Sequence, residues 1–215
     1  MFGMYMKVSE FTVNTVPHNQ IRWFIKKHHY SNSTRGLHIS YCFGLFRESK
    51  FGIPELIGAM IYGLPAMPSV SAKYYPDNPD IVLELNRLCC IDDTPTNTES
   101  FFIGQTLQWL KQNTEYKVIV SFADTAQGHE GIIYKATNFT YFGMTSTATQ
   151  LIADGEVYHS RMLSKKCPKF ESIKRRRLAG DPDITTRTLP SKHIYVYALG
   201  KKIKKNILKH KNDNS

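Results

Sequence analysis

The chain has 215 residues, of which 41% are hydrophobic and 12% aromatic, enough for one packed α/β domain and too few for two large ones. No segment approaches the roughly 20 apolar residues that span a bilayer, and residues 1–10 lack the pattern of a signal peptide. We therefore expect a cytoplasmic protein with no membrane partner. The net charge of +10 favours polyanionic partners, because excess positive charge raises their local concentration.

The first half of the chain predicts one helix among four strands. The predicted strands are 7–14, 39–46, 55–64 and 81–91. The helix begins near Thr15 and Pro17 and buries a stripe of residues at helical spacing, namely Ile21, Phe24, Ile25 and His28. Residues 65–79 are rich in Pro, Tyr, Ser and Asn and predict a long loop.

The second half predicts helices alternating with strands, and one basic insertion. Thr96 and Glu99 have the spacing of a capping box, so a helix is expected from there to about Gln112. A central apolar strand at 117–123 precedes a helix that runs through Ile132 and Phe139. The remaining elements are a further strand into which residues 141–143 lead, a basic insertion at about 160–190, a strand at 193–199 and a lysine-rich terminal helix. Residues 1–200 are assigned to one domain and 201–215 to a basic tail.

This order of elements predicts a single α/β domain with one mixed sheet and helices on its faces. The order resembles the GNAT acetyltransferases, in which the fourth strand and the following helix bind the pyrophosphate of coenzyme A. Those enzymes have a glycine-rich turn where this chain has Asp93–Asn97. That departure weakens the inference that coenzyme A binds.

Four cysteines, Cys42, Cys89, Cys90 and Cys167, lack the spacing of zinc ligands. Cys89 and Cys90 are adjacent in an apolar run, so their side chains should point to opposite faces of a strand. Because a free cysteine behaves as a small apolar side chain, we expect buried thiols rather than a structural zinc site.

Two residues are candidates for holding an anionic donor. Arg87 lies in an apolar strand, where an unpaired charge is costly to bury. It either pairs with Glu84 or Asp124, or binds a phosphate or orients an acyl donor. Ser100 falls in the first turn of the next helix, where free N–H groups attract anions, although a serine there can also be without such a role.

Four residues are candidates for the chemistry itself. Asp124 directly follows the apolar strand, at the kind of strand end where ligand-binding groups collect in α/β sheets. Its carboxylate could act as a general base, orient His129, bind a metal, or cap the next turn. Tyr134 could face the same cleft or belong to the core. At the end of the first helix, His29 suits proton transfer or metal ligation, and Tyr30 suits stacking on a base.

Most of the positive charge lies in the last quarter of the chain, where Lys165 and Lys166 begin a basic run. The residues that we expect to contact DNA phosphates are Lys174, Arg175, Arg176, Arg177, Lys201 and Lys202. The alternative is a solvated tail that aids solubility.

Several short motifs follow one another in a particular order between roughly residues 20 and 145. They are His29-Tyr30, Leu85-x-Arg87-Leu88, Ser100, Ser121-Phe122-Ala123-Asp124, and Tyr134 with Phe139-x-Tyr141-x-Gly143. This set resembles the Mom family of bacteriophage DNA-modifying proteins. The resemblance implies a GNAT-like transferase that adds a methylcarbamoyl-type group to the exocyclic amino group of adenine. Such a modification protects phage DNA from host restriction enzymes.

The resemblance also implies the active-site residues, which are His29, Tyr30, Arg87, Ser100, Asp124 and Tyr134. It implies double-stranded DNA as the substrate, acetyl-coenzyme A as a donor, and a bound iron. His29 and Asp124 would be the iron ligands, fewer than a facial triad needs. Because the adenine amino group is paired within a duplex, base flipping is expected, with Tyr30 or a neighbouring aromatic residue stacking on the extruded base.

Two other functions are compatible with the same residues. One is a GNAT enzyme that acetylates a protein amine or a small-molecule amine, although the missing glycine-rich turn argues against ordinary acetyl transfer. The other is a non-catalytic DNA-binding protein on the same fold. Neither the DNA sequence context nor the oligomeric state follows from the sequence.

Overall fold

A computed structural model describes residues 7–49, 52–159 and 167–213. Its strands are β1 (Thr12–Thr15), β2 (His38–Glu48), β3 (Pro54–Leu64), β4 (Val82–Cys90), β5 (Val118–Asp124), β6 (Thr140–Met144), β7 (Ala148–Ala153), β8 (Glu156–His159), β9 (Ile184–Leu189) and β10 (Lys192–Ala198). Its helices are α1 (His18–His28), α2 (Pro68–Tyr74), α3 (Thr98–Asn113), α4 (Ile132–Ala136), α5 (Pro168–Leu178) and α6 (Lys201–Asp213). None of the helices in this described part of the chain has the length and apolarity needed to cross a membrane.

Seven strands form the main sheet, in the order β1-β2-β3-β4-β5-β10-β6. Neighbours among β1 to β4 are antiparallel, and β4 and β5 are parallel. On one face, Ile21, Phe24 and Ile25 of α1 pack against β2 and β3. On the other face, Phe102 and Leu110 of α3 belong to the largest hydrophobic cluster. The predicted mixed sheet with flanking helices is therefore confirmed.

A β-bulge interrupts the pairing of β3 with β4. Ile61 of β3 lies opposite Arg87. The next residue of β3, Tyr62, lies opposite Leu85. Asn86 is therefore the extra residue of the bulge, and such bulges often aim side chains at functional sites.

The parallel strands β4 and β5 pair over only part of their length. Within these two fully described strands, backbone pairing joins Val82–Glu84 to Val118–Val120. One residue further along, the hydroxyl of Ser121 donates to the carbonyl of Leu85 at 3.2 Å. A side chain thus takes the place of a backbone hydrogen bond, and the sheet opens between β4 and β5 from this point.

The chain divides into two compact units. The larger, the core unit, comprises the described residues of 1–123, 131–143 and 194–215. The smaller, the inserted unit, comprises 124–130 and 144–193. It contains a three-stranded antiparallel sheet in the order β8-β7-β9, and α5 buries Phe170 and Ile173 in its apolar cluster.

Two predictions for the first half of the chain are wrong. The predicted loop over 65–79 contains α2, because Pro68 presets the first helical turn and Tyr74 is buried in an apolar cluster. The composition of residues 65–79 is typical of a loop and does not indicate that Tyr74 is buried. The first strand covers Thr12–Thr15 instead of 7–14, since Val8–Glu10 form a single turn of 3-10 helix.

The predicted capping box before α3 does not form. The helix begins at Thr98, with Asn97 at the N-cap position. The hydroxyl and the backbone N–H of Thr98 both donate to the carbonyl of Pro95, at 2.7 and 3.0 Å. This local turn moves the helix start two residues beyond Thr96, so Thr96 and Glu99 lose the capping relationship.

The end of α1 reverses the expected roles of two histidines. His28, predicted to be buried, is exposed, and its ring lies 4.5 Å from that of Phe24. His29 is only 7% exposed. The reason is that α1 ends at His28, and His29 takes an extended backbone (φ −92°, ψ 134°) that turns its side chain out of the helical stripe.

All four cysteines are free, and burial raises the pKa of Cys42 to about 11 and that of Cys89 to about 12. In the unfolded chain these solvated thiols have a pKa near 9. The buried, protonated thiols therefore contribute to the stability of the fold below pH 9, and this contribution is lost as the pH rises through 11 to 12. We expect the temperature of unfolding to fall between pH 8.5 and 11. The variant Cys42→Ala/Cys89→Ala should show a smaller fall, and an equal fall would contradict this origin.

Candidate active site

The hydroxyl of Tyr134 lies inside the core unit, where it hydrogen-bonds to Ser121 at the start of the opening between β4 and β5. Tyr134 is 8% exposed, and its ring packs against Phe139 and Tyr195 with centroids 5.3 and 5.2 Å away. Burial raises the pKa of Tyr134 to about 12, so the phenol is protonated at neutral pH. A buried, protonated phenol can donate a hydrogen bond or a proton to charge that develops beside it.

Three more polar side chains share the electrostatic environment of Tyr134. Tyr30 and Glu84 add to the effect of burial in raising the pKa of Tyr134. Burial lowers the pKa of the half-buried Arg87 guanidinium, and Tyr30 and Glu84 oppose that shift. We call these four residues, Tyr30, Glu84, Arg87 and Tyr134, the reaction centre.

The turn after α1 is held by hydrogen bonds that fix Tyr30. The ring of His29 stacks on that of Tyr30, with centroids 4.3 Å apart, and its Nδ1 lies 2.8 Å from the hydroxyl of Ser31. The Nε of Arg87 donates to the carbonyl of Ser33 at 3.1 Å. Arg87 therefore ties β4 to the turn that carries the aromatic side chain, and Tyr30 itself is 44% exposed.

Asn86 presents a buried acceptor next to the reaction centre. Its side-chain Oδ1 is buried and has no hydrogen-bond donor among the described residues. Its backbone carbonyl accepts from Nη1 of Arg87 at 2.6 Å. A Cβ at Gly63 would lie 2.7 Å from this Oδ1, so the glycine leaves room for the amide. An unsatisfied buried acceptor is costly, which makes it a candidate contact for a donor group on a ligand.

A groove of about 750 Å³ runs along α3 in the core unit. Lys111, Lys201 and Lys204 line it, and none of its described lining residues is acidic. Ser100 also lines the groove, where its hydroxyl donates to the carbonyl of Asn97 at 3.0 Å. Three ammonium groups without a competing carboxylate suit a polyphosphate ligand.

Asp124 lies in the inserted unit, with both carboxylate oxygens engaged. Its Oδ2 accepts from Nζ of Lys192 at 2.6 Å, and its Oδ1 accepts from the N–H of Ala126 at 3.1 Å. The N–H of His129 donates to its backbone carbonyl at 3.2 Å. Asp124 therefore caps the turn after β5, which is the structural alternative that the sequence left open.

Two of the predicted DNA contacts form ion pairs within the inserted unit. Arg176 binds Asp154 at 2.9 Å and Asp181 at 2.7 Å, and Lys174 binds Glu171 at 2.7 Å. The exposed members of the predicted set are Arg175, Arg177, Lys201 and Lys202. Lys165 and Lys166 lie outside the described residues.

The two candidate iron ligands do not fit a metal site. Among the described residues, no group of three or more His, Cys, Asp and Glu side chains could hold a metal ion. Nδ1 of His29 is hydrogen-bonded to the hydroxyl of Ser31, and the carboxylate of Asp124 forms an ion pair with Lys192. We therefore assign no metal-dependent role to either residue.

The core unit brings together four of the six residues predicted for the active site, namely His29, Tyr30, Arg87 and Tyr134. Ser100 lines the groove instead, and Asp124 belongs to the inserted unit. The prediction missed Glu84 and Asn86. Their signal was present as two polar residues beside Arg87 in an otherwise apolar strand.

The fold, in which the final strand β10 lies between β5 and β6, is similar to that of solved N-acetyltransferases. The spermidine/spermine N-acetyltransferase SpeG of Vibrio cholerae superposes with a TM-score of 0.50 and 8% identity, over 92% of this chain and 98% of that one. The GNAT N-acetyltransferase YhbS of Escherichia coli gives a TM-score of 0.48 and 10% identity, over 90% and 84% of the two chains.

Within this class, a model of the Mom protein family matches residues 10–214, and the chain belongs to that family. The methylcarbamoylase Mom of Escherichia phage Mu is 30% identical to it over 154 residues. That alignment covers 70% of this chain and 60% of the phage Mu protein. The family resemblance drawn from the short motifs is confirmed.

Proposed function

We propose that this protein transfers a methylcarbamoyl-type group to the exocyclic amino group of adenine in double-stranded DNA. The proposal is carried by the reaction centre, where the buried phenol of Tyr134 shares its surroundings with Glu84 and Arg87 beside the opening of β4 from β5. The phage Mu relative is a methylcarbamoylase, which supports the same chemistry here. The product would protect phage DNA from host restriction enzymes.

The acceptor would be an adenine extruded from the duplex. Its amino nitrogen is a poor nucleophile, because the lone pair is delocalised into the ring, so the enzyme has to orient it. We infer that the Oδ1 of Asn86, which has no hydrogen-bond donor among the described residues, accepts one N–H of that amino group, as asparagine amides do when they pair with adenine. Tyr30 offers an exposed ring for stacking, and Arg87 keeps its turn in place.

Proton transfer would be divided between two side chains. Glu84 accepts the proton that the attacking nitrogen loses, and the phenol of Tyr134 donates to the leaving group or to negative charge on the acyl oxygen. We give Glu84 the role that the sequence suggested for Asp124. The carboxylate of Asp124 would first have to leave Lys192 and the N–H of Ala126.

The groove along α3 would hold the donor. A coenzyme A thioester of the group to be transferred, when bound, would supply an activated carbonyl with a thiolate leaving group. Lys111, Lys201 and Lys204 provide positive charge for its phosphates, and Ser100 marks the first turn of α3 at the same groove. These residues compensate in charge for the absent glycine-rich turn.

Reversing two groove charges tests the donor site. In Lys111→Glu/Lys204→Glu we expect the Kd for coenzyme A, measured by calorimetry, to rise at least about tenfold, since charge-assisted hydrogen bonds are lost. The control is Lys205→Glu/Lys209→Glu, which changes the net charge equally at exposed positions of α6 outside the groove. An unchanged Kd in the first variant, or equal losses in both, would remove the groove from the donor site.

Glu84→Gln should lower the rate of adenine modification by about 10²–10⁴-fold, because it removes the proton acceptor while keeping the shape of the side chain. Affinity for coenzyme A should not change. Asp124→Asn should have a much smaller effect on the rate. The opposite ranking of these two variants would return the general base to Asp124.

Exposed cations outside the groove would hold the duplex, and we propose that Arg175, Arg177 and Lys202 contact its phosphates. Such contacts give affinity without reading sequence. A protein that acts on phage DNA in this way would work in the cytoplasm of the host cell.

Restriction resistance tests the proposed function in cells. Plasmid from cells that make the wild-type protein should resist enzymes with adenine in their recognition sites, and plasmid from cells that make Glu84→Gln should be cut. Equal resistance with both proteins would indicate protection by binding alone. Acetylation of spermidine by the purified protein, with DNA inert, would identify an amine acetyltransferase instead.

A further inference from the structure

The positive charge of this chain is not confined to its last quarter. No Asp or Glu occurs between Glu10 and Glu48, a segment that includes all of α1. Within it, Arg22, Lys26 and Lys27 are exposed on one helix. A basic surface without acidic residues in its own segment attracts a polyanion, and the attraction weakens as the salt concentration rises.

The exposed cations of α1 surround an exposed tryptophan. Trp23 is 54% exposed, although indole is among the side chains that gain most from burial. Residues four apart are neighbours on a helix, so Arg22 adjoins Lys26 and Trp23 adjoins Lys27. We call these four residues, Arg22, Trp23, Lys26 and Lys27, the α1 face. An aromatic ring set among cations is the usual composition of a surface that binds nucleic acid.

The α1 face leads directly into the reaction centre. Both lie in the core unit, and α1 ends one residue before His29, whose ring stacks on Tyr30. Arg87 of the reaction centre holds the following turn through the carbonyl of Ser33. When DNA brings an adenine to Tyr30, α1 is therefore the basic helix that lies nearest to Tyr30 in the protein sequence.

We propose that the α1 face binds the DNA backbone next to the extruded adenine. Arg22, Lys26 and Lys27 contact phosphates, and Trp23 packs on a base or sugar that extrusion exposes. This assignment rests on the proposed function, and it names the surface that receives the substrate. It differs from the basic run of α5, where Lys174 and Arg176 are already held in ion pairs.

Charge reversal with a matched control tests the α1 face. The variant Arg22→Glu/Lys26→Glu and its control Lys205→Glu/Lys209→Glu each replace two exposed cations four residues apart on a helix. The Kd for a fluorescently labelled duplex is measured by fluorescence anisotropy in the absence of the acyl donor. We expect this Kd to rise at least about tenfold in the α1 variant and less than about threefold in the control. The slope of log K against log salt should become shallower by about two in the α1 variant. Equal losses in both variants, or no loss in the α1 variant, would overturn the proposal.

Tryptophan fluorescence gives a second, local readout. Trp109 packs against Tyr41 and Phe43, so Trp23 is the more exposed of the two indoles, and DNA should quench its emission. Trp23→Phe should lose most of the quenching while keeping its thermal stability. Trp23→Ala should also bind DNA about tenfold more weakly, because it loses the stacking surface. Quenching that persists in Trp23→Phe would contradict the assignment, as would tighter binding of the α1 face to RNA of the same sequence.

Failure of this inference can be told apart from failure of the proposed function. If wild-type protein modifies adenine and the α1 variant modifies it equally well at limiting DNA, the α1 face is wrong and the function stands. If the α1 variant loses DNA binding and its control does not, but the wild-type protein modifies no adenine, the α1 face is supported and the proposed function is wrong.

Discussion

Replacing Tyr134 by phenylalanine should lower the rate of adenine modification by about 10²–10⁴-fold while the protein stays folded. The change removes one oxygen and keeps the ring that packs against Phe139 and Tyr195. The lost hydroxyl is the group that hydrogen-bonds to Ser121 beside the opening of the sheet. Its raised pKa, about 12, also means that no fall in rate between pH 8 and pH 10 should come from ionisation of this phenol.

Tyr62→Phe is the matched control for Tyr134→Phe. The hydroxyl of Tyr62 is also buried, and it lies 2.8 Å from that of Thr106. Its removal should cost about 1 kcal/mol of stability, as for other single hydrogen bonds, and leave the rate nearly unchanged. If both variants lost activity equally, or if Tyr134→Phe kept it, Tyr134 would be a core residue without a catalytic role.

Replacing Gly131 by alanine should lower the free energy of unfolding by about 2–5 kcal/mol. Gly131 precedes α4 with a φ of 72°, in the left-handed region that L side chains rarely adopt. An added Cβ would also overlap the ring of Tyr195. The start of α4 would have to shift, and Tyr134 would shift with it, so modification should fall together with stability.

Gly128→Ala separates the two causes of that loss. Gly128 has a φ of 70°, but an added Cβ there would meet no atom within 4 Å. Only the backbone strain remains, which costs about 1–2 kcal/mol. Denaturant unfolding of the two variants measures the difference, and equal losses would show that the contact with Tyr195 contributes nothing.

The fold was predictable where local patterns and packing agree. The alternating and apolar runs of β2 to β5 and the buried stripe of α1 follow from periodicity, and each is present, except that His28 of the stripe is exposed. The helix α2 was not predictable from its composition, because the burial of Tyr74 that stabilises it comes from distant residues. The three-stranded sheet of the inserted unit likewise depends on pairing between segments with weak individual patterns.

The reaction centre was predictable only in part. Arg87 could be chosen from sequence because a charged group in apolar surroundings is unusual. Tyr134 could be chosen because it lies on the helix that follows the apolar strand. Asn86 gives the same signal as Arg87 in the sequence, but its position as the extra residue of a bulge depends on pairing with β3. Asp124 was chosen for its position after β5, and the sequence could not reveal that Lys192, 68 residues away, pairs with its carboxylate.

The basic residues illustrate the same limit. Counting charges directed attention to the run from Lys174 to Arg177, yet Asp154 and Asp181 hold Arg176 in the folded chain. The absence of acidic residues around α1 was visible in the sequence. Its meaning depends on knowing that α1 leads into the turn of Tyr30, which only the folded structure provides.

Mass spectrometry of nucleosides from cells that make this protein tests the central claim most directly. We expect a deoxyadenosine that is heavier by one methylcarbamoyl-type group in DNA from cells with the wild-type protein. The same nucleoside should be absent from cells with Tyr134→Phe and present with Tyr62→Phe. Deoxyadenosine that stays unmodified while folded wild-type protein accumulates would contradict the claim.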